Sequence, residues 1–86
     1  MATTRSASGL IVRNPRIHGG EPVIRGTRVP VRTIVLSLED YDGDPQRLAE
    51  DFDLDRAAVD AALAYYRTHK RAIDRIVEAH ERATLA

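Results

Sequence analysis

The sequence predicts a mainly α-helical fold with a short N-terminal β element and an extended C-terminal helix, and three observations carry this. Apolar residues recur at helical spacing from Val31 almost to the end of the chain. Short β-favouring pieces, broken by Asn-Pro, Gly-Gly and Arg-Gly, are confined to residues 10–29. Aspartates stand just before two of the apolar stripes, where helix N-caps belong. With 86 residues, the chain has room for one domain, and only about 60–65% of its unfolded surface can be buried. Dimerisation would add to so small a core.

In order along the chain, residues 1–9 are polar and read as a flexible N-terminus. The first eight lack the apolar run of a signal peptide, and no stretch approaches the ~18 apolar residues of a membrane span. β-favouring pieces follow at Leu10–Arg13, Pro22–Arg25 and Thr27–Val29, with turns at Asn14-Pro15 and Gly19-Gly20. Pro30 is placed at the first position of a helix, where its missing N–H costs nothing. Val31, Ile34, Val35 and Leu38 then follow at i, i+3, i+4 and i+7, predicting a first helix to about Asp40. "YDGD" ends it, and Asp44 caps a short second helix with Pro45 at N1 and Leu48, Ala49 and Phe52 facing inward.

After a bend at Phe52-Asp53-Leu54, Asp55 is expected to cap a third helix starting at Arg56. Its apolar face runs through Val59, Ala62, Leu63, Tyr66, Ile73, Ile76 or Val77 and His80, interrupted by the polar Thr68-His69-Lys70. An unbroken helix from Arg56 to Arg82 would be about 40 Å long, against a diameter of about 30 Å for a domain of this size. It must overhang the domain or break near Thr68. The organisation is therefore residues 1–9, a helical domain over 10–70, and an amphipathic helix or arm over 71–86, which either caps the core or seeks a partner.

Thirteen basic and thirteen acidic side chains cancel, but they are unevenly spread. Residues 1–33 hold six arginines against Glu21 alone, and residues 34–64 hold nine acids against Arg47 and Arg56. Such zoning marks either contact with a charged partner or complementary patches within one fold. There is no cysteine, so no disulfide or thiolate chemistry is available, and a reducing cytoplasm is the expected compartment.

Enzymatic readings find little support. His69 and His80 would stand about 16 Å apart on one helix, too far for one metal. The acids of "EDYDGD" and "EDFDLD" lack the ligand alternation of a calcium loop and suit helix caps. "GGEPVIRGT" lacks the lysine of a phosphate-binding loop, and serines 6, 8 and 37 have no evident base. No cofactor is expected.

Binding readings do better. A short second helix, a tight bend and a capped third helix have the layout of a helix-turn-helix, although many small helical domains share it. The exposed face of the third helix, with Arg56, Ala57, Asp60, Ala61, Ala64 and Arg67, offers few donors to base edges. The candidate DNA-binding set is therefore Arg13, Arg16, Arg25, Arg28 and Arg32 together with Arg56, the alternative being a solvated basic face. The candidate partner-binding set lies in the C-terminal helix, where Arg67, Lys70, Arg71 and Arg75 surround Ile73 and Val77.

The run "GGEPVIRGTRVPVRTIV", followed by an acidic short helix and "LDRAAVDAALAYYRTH", resembles the small prokaryotic domain-of-unknown-function family 433 over roughly residues 10–70. The motif falls on Gly19, Gly20, Pro22, Ile24, Gly26, Thr27, Arg28, Pro30 and Val31. "YDGD" departs from the glycine-led turn common in relatives and adds negative charge there. The resemblance implies a homeodomain-like helix-turn-helix core. It also implies the antitoxin of a type II toxin–antitoxin pair, similar to virulence-associated-protein-B-like antitoxins, with a PIN-like ribonuclease toxin and operator DNA as partners and a homodimer as the working unit. The alternative is a stand-alone helix-turn-helix regulator or structural adaptor.

Overall fold

The computed structural model describes residues 9–85, with Leu85 described by its backbone alone. The flexible stretch expected over 1–9 lies, apart from Gly9, outside the described residues. Strands β1 (Ile11–Val12) and β2 (Val23–Ile24) pair antiparallel, Ile11 opposite Ile24 and Val12 opposite Val23. The helices are α1 (Val31–Ser37), α2 (Pro45–Phe52), α3 (Arg56–Thr68) and α4 (Lys70–Leu85), and a 3-10 turn over Leu38–Tyr41 extends α1. No helix among the described residues is long and apolar enough to cross a membrane.

The expected β piece at Thr27–Val29 is not a strand. The Thr27 hydroxyl donates to the Ile24 carbonyl at 2.8 Å and accepts the Val29 N–H at 3.0 Å, so it closes a turn instead of extending a ladder. The ladder is continued one residue later by a bridge between Val23 and Pro30. That pairing also displaces Pro30 from the predicted N1 position: at φ −74° and ψ 152° it is the extended N-cap, and Val31 starts the helix. The Val31 N–H donates to the Pro22 carbonyl at 3.0 Å.

Two aspartates end helical segments in the left-handed conformation, which short polar side chains tolerate. At Asp42 (φ 56°), the Gly43 N–H reaches the Leu38 carbonyl and the Asp42 N–H the Glu39 carbonyl. At Asp53 (φ 57°), the Leu54 N–H reaches Ala49 and the Asp53 N–H reaches Glu50. Both are the paired 6→1 and 5→2 bonds that satisfy orphan carbonyls at a helix C-terminus. Asp44 caps α2 as expected, accepting the N–H groups of Gln46 (3.0 Å) and Arg47 (3.4 Å) ahead of Pro45 at N1. Asp55 occupies the N-cap position of α3, but its side chain makes no capping bond.

Val23, Val31, Ile34, Leu48, Val59 and Ile73 are the largest fully buried side chains. The core thus draws on β2 and all four helices. Ala61, expected on the exposed face of α3, is buried in this cluster. The helix breaks after Thr68: His69 has φ −130° and ψ 34°, and α4 turns back so that Ile73 is buried among α1 and α3 while Ile76 and Val77 pack beside it. The C-terminal segment is therefore part of the domain's core rather than a projecting arm. Burying three aliphatic side chains, each worth about 1.5–3 kcal/mol when complete, outweighs the few backbone bonds lost at the break.

Candidate functional site

The segment between β1 and α1 is shaped by its backbone. Asn14 accepts the Arg16 N–H on its side chain (2.9 Å) and the Ile17 N–H on its carbonyl (2.8 Å). His18, Gly19 and Gly20 then take three successive positive φ values, 49°, 65° and 92°. Only glycine adopts such angles freely, and the run reverses the chain between the strands. Gly26, at φ 81°, makes the second reversal. The glycines, prolines and threonine of the motif therefore build a rigid link from the sheet into α1.

That link orients a polar cluster. Glu21 is the one buried charged residue among those described. Arg32 Nε donates to both its carboxylate oxygens, at 2.9 and 3.2 Å, and His80 Nε2 of α4 stands 3.5 Å from Oε2. Glu21, Arg32 and His80 thus tie the link, α1 and α4 together. Beside them, Arg32, Leu36, Val77, His80, Glu81 and Thr84 line a groove of about 410 Å³ between α1 and α4. Leu36, at its edge, is 52% exposed. The one sequence signal for this cluster is that Glu21 stands alone among the six arginines of residues 1–33.

The predicted basic residues divide by their contacts. Among the DNA-binding candidates, Arg32 is held by Glu21, with 18% of its side chain exposed. Arg13 donates from Nε to the Gly20 carbonyl at 2.7 Å, bracing the glycine turn. Arg56 pairs with Asp60 at 2.9 Å on the same helix face. Arg16, Arg25 and Arg28 are exposed and make no ion pair among the described residues. Arg28 adds a backbone contact, its carbonyl lying 2.9 Å from His18 Nε2.

Of the partner-binding candidates, Ile73 is 1% exposed and belongs to the core, so it has no surface to offer. Val77 is half-buried along the groove. Lys70 is exposed but reaches Asp74 at 3.0 Å and lies 5.4 Å from the Tyr66 ring centre. Arg67, Arg71 and Arg75 are exposed without an ion pair among the described residues. Asp74 also accepts the Tyr66 hydroxyl at 2.8 Å. The bonds from Lys70 and then Tyr66 hold its carboxyl below the ordinary aspartate range, while Asp74 holds the Lys70 ammonium above its own. Two exposed arginine surfaces remain, one on the motif link and one around the start of α4. No group of three or more His, Asp or Glu side chains suited to a metal occurs among the described residues.

A family model described as "Protein of unknown function (DUF433)" matches residues 11–66, from β1 almost to the end of α3. Among solved structures, the chain is similar to a crystallised DUF433 member protein from Anabaena variabilis ATCC 29413. The two are 26% identical over 90% of this chain and 76% of that one, with a TM-score of 0.69. No curated protein matches.

Proposed function

This chain belongs to the DUF433 family of proteins of unknown function, and from that premise we propose that it is a non-enzymatic, cytoplasmic antitoxin of a type II pair. It binds and neutralises a PIN-like ribonuclease toxin and represses its own operon through DNA, working as a homodimer. The observation that carries this reading is the pair of exposed arginine surfaces that have no acidic partner among the described residues.

Arg71 and Arg75 stand one turn apart on α4, hence side by side, with Arg67 close by at the end of α3. A PIN-like active site is a cluster of carboxylates around a divalent metal. Guanidinium groups bond such carboxylates in bidentate fashion and can take the metal's place. α4 lies wholly outside the segment that the family model matches, which suits an element that selects one toxin. Arg16, Arg25 and Arg28 on the link would meet DNA phosphates.

Expressing the neighbouring gene alone should arrest growth, and co-expressing this chain should relieve the arrest and co-purify with the product. Arg71→Glu with Arg75→Glu should abolish both effects while leaving the circular dichroism spectrum unchanged. Arrest that persists on co-expression of the unaltered chain would overturn the reading.

A stand-alone DNA-binding regulator is the second reading. It is favoured by α2 and α3, which a three-residue turn joins as in a homeodomain-like helix-turn-helix. On that reading a mobility shift on upstream DNA survives without any toxin. It should weaken steeply with salt and fall on Arg25→Ala with Arg28→Ala.

A further inference from the structure

The joint between α3 and α4 is one residue, His69, and the local reasons for a break there are weak: Thr68 and His69 are only indifferent helix formers, with side chains 3.1 and 3.0 Å from the Tyr65 carbonyl. "RTHKRA", residues 67–72, contains neither glycine nor proline, and its arginines, lysine and alanine are strong helix formers. The break leaves the N–H groups of Lys70, Arg71 and Ala72 without the α3 carbonyls that a continuous helix would supply. It also sets two cations, Lys70 and Arg71, at the positive end of α4, with no acid in the first turn. What opposes continuity is tertiary: Ile73 is buried in the core. Smaller contacts at the joint assist it, the His69 ring stacking on Tyr65 with centroids 3.9 Å apart and Tyr66 bonding to Asp74.

We propose that α4 is an exchangeable arm whose second partner is another copy of this chain: His69 becomes helical, α3 and α4 fuse, and each α4 seats Ile73 in the core of the other copy. Local and tertiary preferences conflict in the closed monomer, and exchange removes the conflict. The burial of Ile73 is retained, because the receiving site is identical, while both chains recover their hinge hydrogen bonds. Short joints of this kind favour swapping. The cost is the freedom lost on association, so the exchanged form gains with concentration. This inference does not rest on the antitoxin reading, since a toxin-free chain would exchange equally.

The chain has no cysteine, and Leu36 and Thr84 line the groove that α4 forms with α1. Leu36→Cys and Thr84→Cys are made in separate batches, unfolded together, refolded and treated with a short bis-maleimide. Exchange yields a covalent dimer containing one of each variant, in a yield that rises with concentration. A parallel sedimentation measurement compares His69→Ala with His69→Gly. Both lose the imidazole, and they differ in helix propensity by about 0.8–1.0 kcal/mol at each of two hinges, so the alanine dimer should be roughly 15- to 30-fold tighter. The proposal is overturned if the mixed variants never cross-link while the Leu36→Cys/Thr84→Cys double variant cross-links within one chain. Equal self-association of the two His69 variants, or a dimer whose cross-links all remain internal, overturns it as well.

Discussion

Replacing Arg32 by methionine tests whether this motif-adjacent arginine belongs to the fold or to a DNA surface. Its side chain is 18% exposed and grips the carboxylate of Glu21, whose side chain is 7% exposed; the His80 imidazole stands 3.5 Å from the same carboxylate. Removing one partner of so enclosed a pair strands the other charge, at a cost of about 3–5 kcal/mol. A domain of this size has about 4–13 kcal/mol of stability in all, at roughly 0.05–0.15 kcal/mol per residue. At about 4–8 °C per kcal/mol, Tm should fall by at least about 12 °C. Adding Glu21→Met should restore most of that loss, because two apolar side chains of similar volume leave no buried charge. The exposed pair of Arg47 and Asp42, 3.5 Å apart with side chains 59% and 91% exposed, gives the benchmark: Arg47→Met should cost no more than about 1 kcal/mol. Urea and thermal melts followed by circular dichroism measure all four proteins. If Arg32→Met melts like Arg47→Met, or if the double variant is no better than the single one, the enclosed-pair reasoning fails. Loss of DNA affinity with an unchanged melt would put Arg32 back on the nucleic-acid face.

Three further outcomes are expected. Ile73→Ala should cost about 2–5 kcal/mol in urea denaturation, far more than truncating the exposed Arg71 beside it on the same helix. Asp44→Ala should cost about 0.5–2 kcal/mol by losing its capping bonds, whereas Asp55→Ala, at a position with no side-chain cap, should cost clearly less; equal costs would contradict the structure. The depressed carboxyl of Asp74 stabilises the fold fully above the unfolded aspartate value near pH 3.9, and that contribution is lost as pH falls through the lower folded value. Asp74→Asn should therefore flatten the acid limb of stability against pH, as seen in melts from neutral pH down to about pH 2.5.

What the sequence made legible was local. The Asp44-Pro45 start of α2, the 3.6-residue stripe of α1 and the two β pieces that pair were all readable, because each depends on neighbours a few residues away. The break near Thr68 is legible from the helix's length and from the polar Thr68-His69-Lys70 that interrupts its apolar face, but what sets it is the burial of Ile73. Thr27–Val29 looked like a strand from its residue types, but the Thr27 hydroxyl diverts the backbone into a turn. In the sequence Arg32 belongs with the basic face, because its partner, Glu21, is eleven positions earlier and becomes its neighbour only when the link folds against α1. Ala61 is small enough to suit either surface or core, so its residue type carried no preference, and packing decided.

The joint at His69 also has an optical side. The chain has no tryptophan and three tyrosines, so its near-ultraviolet emission comes from tyrosine alone. Two of the three flank the joint: Tyr65 lies flat against the His69 ring, and Tyr66 gives its hydroxyl to Asp74. A phenol bound to a carboxylate or stacked on an imidazole emits weakly compared with one in water. The unaltered protein thus carries its own reporter at the place where α3 and α4 part. A change of geometry there should appear as a change in tyrosine intensity, over the constant background of Tyr41, which is bonded to Asp51 of α2.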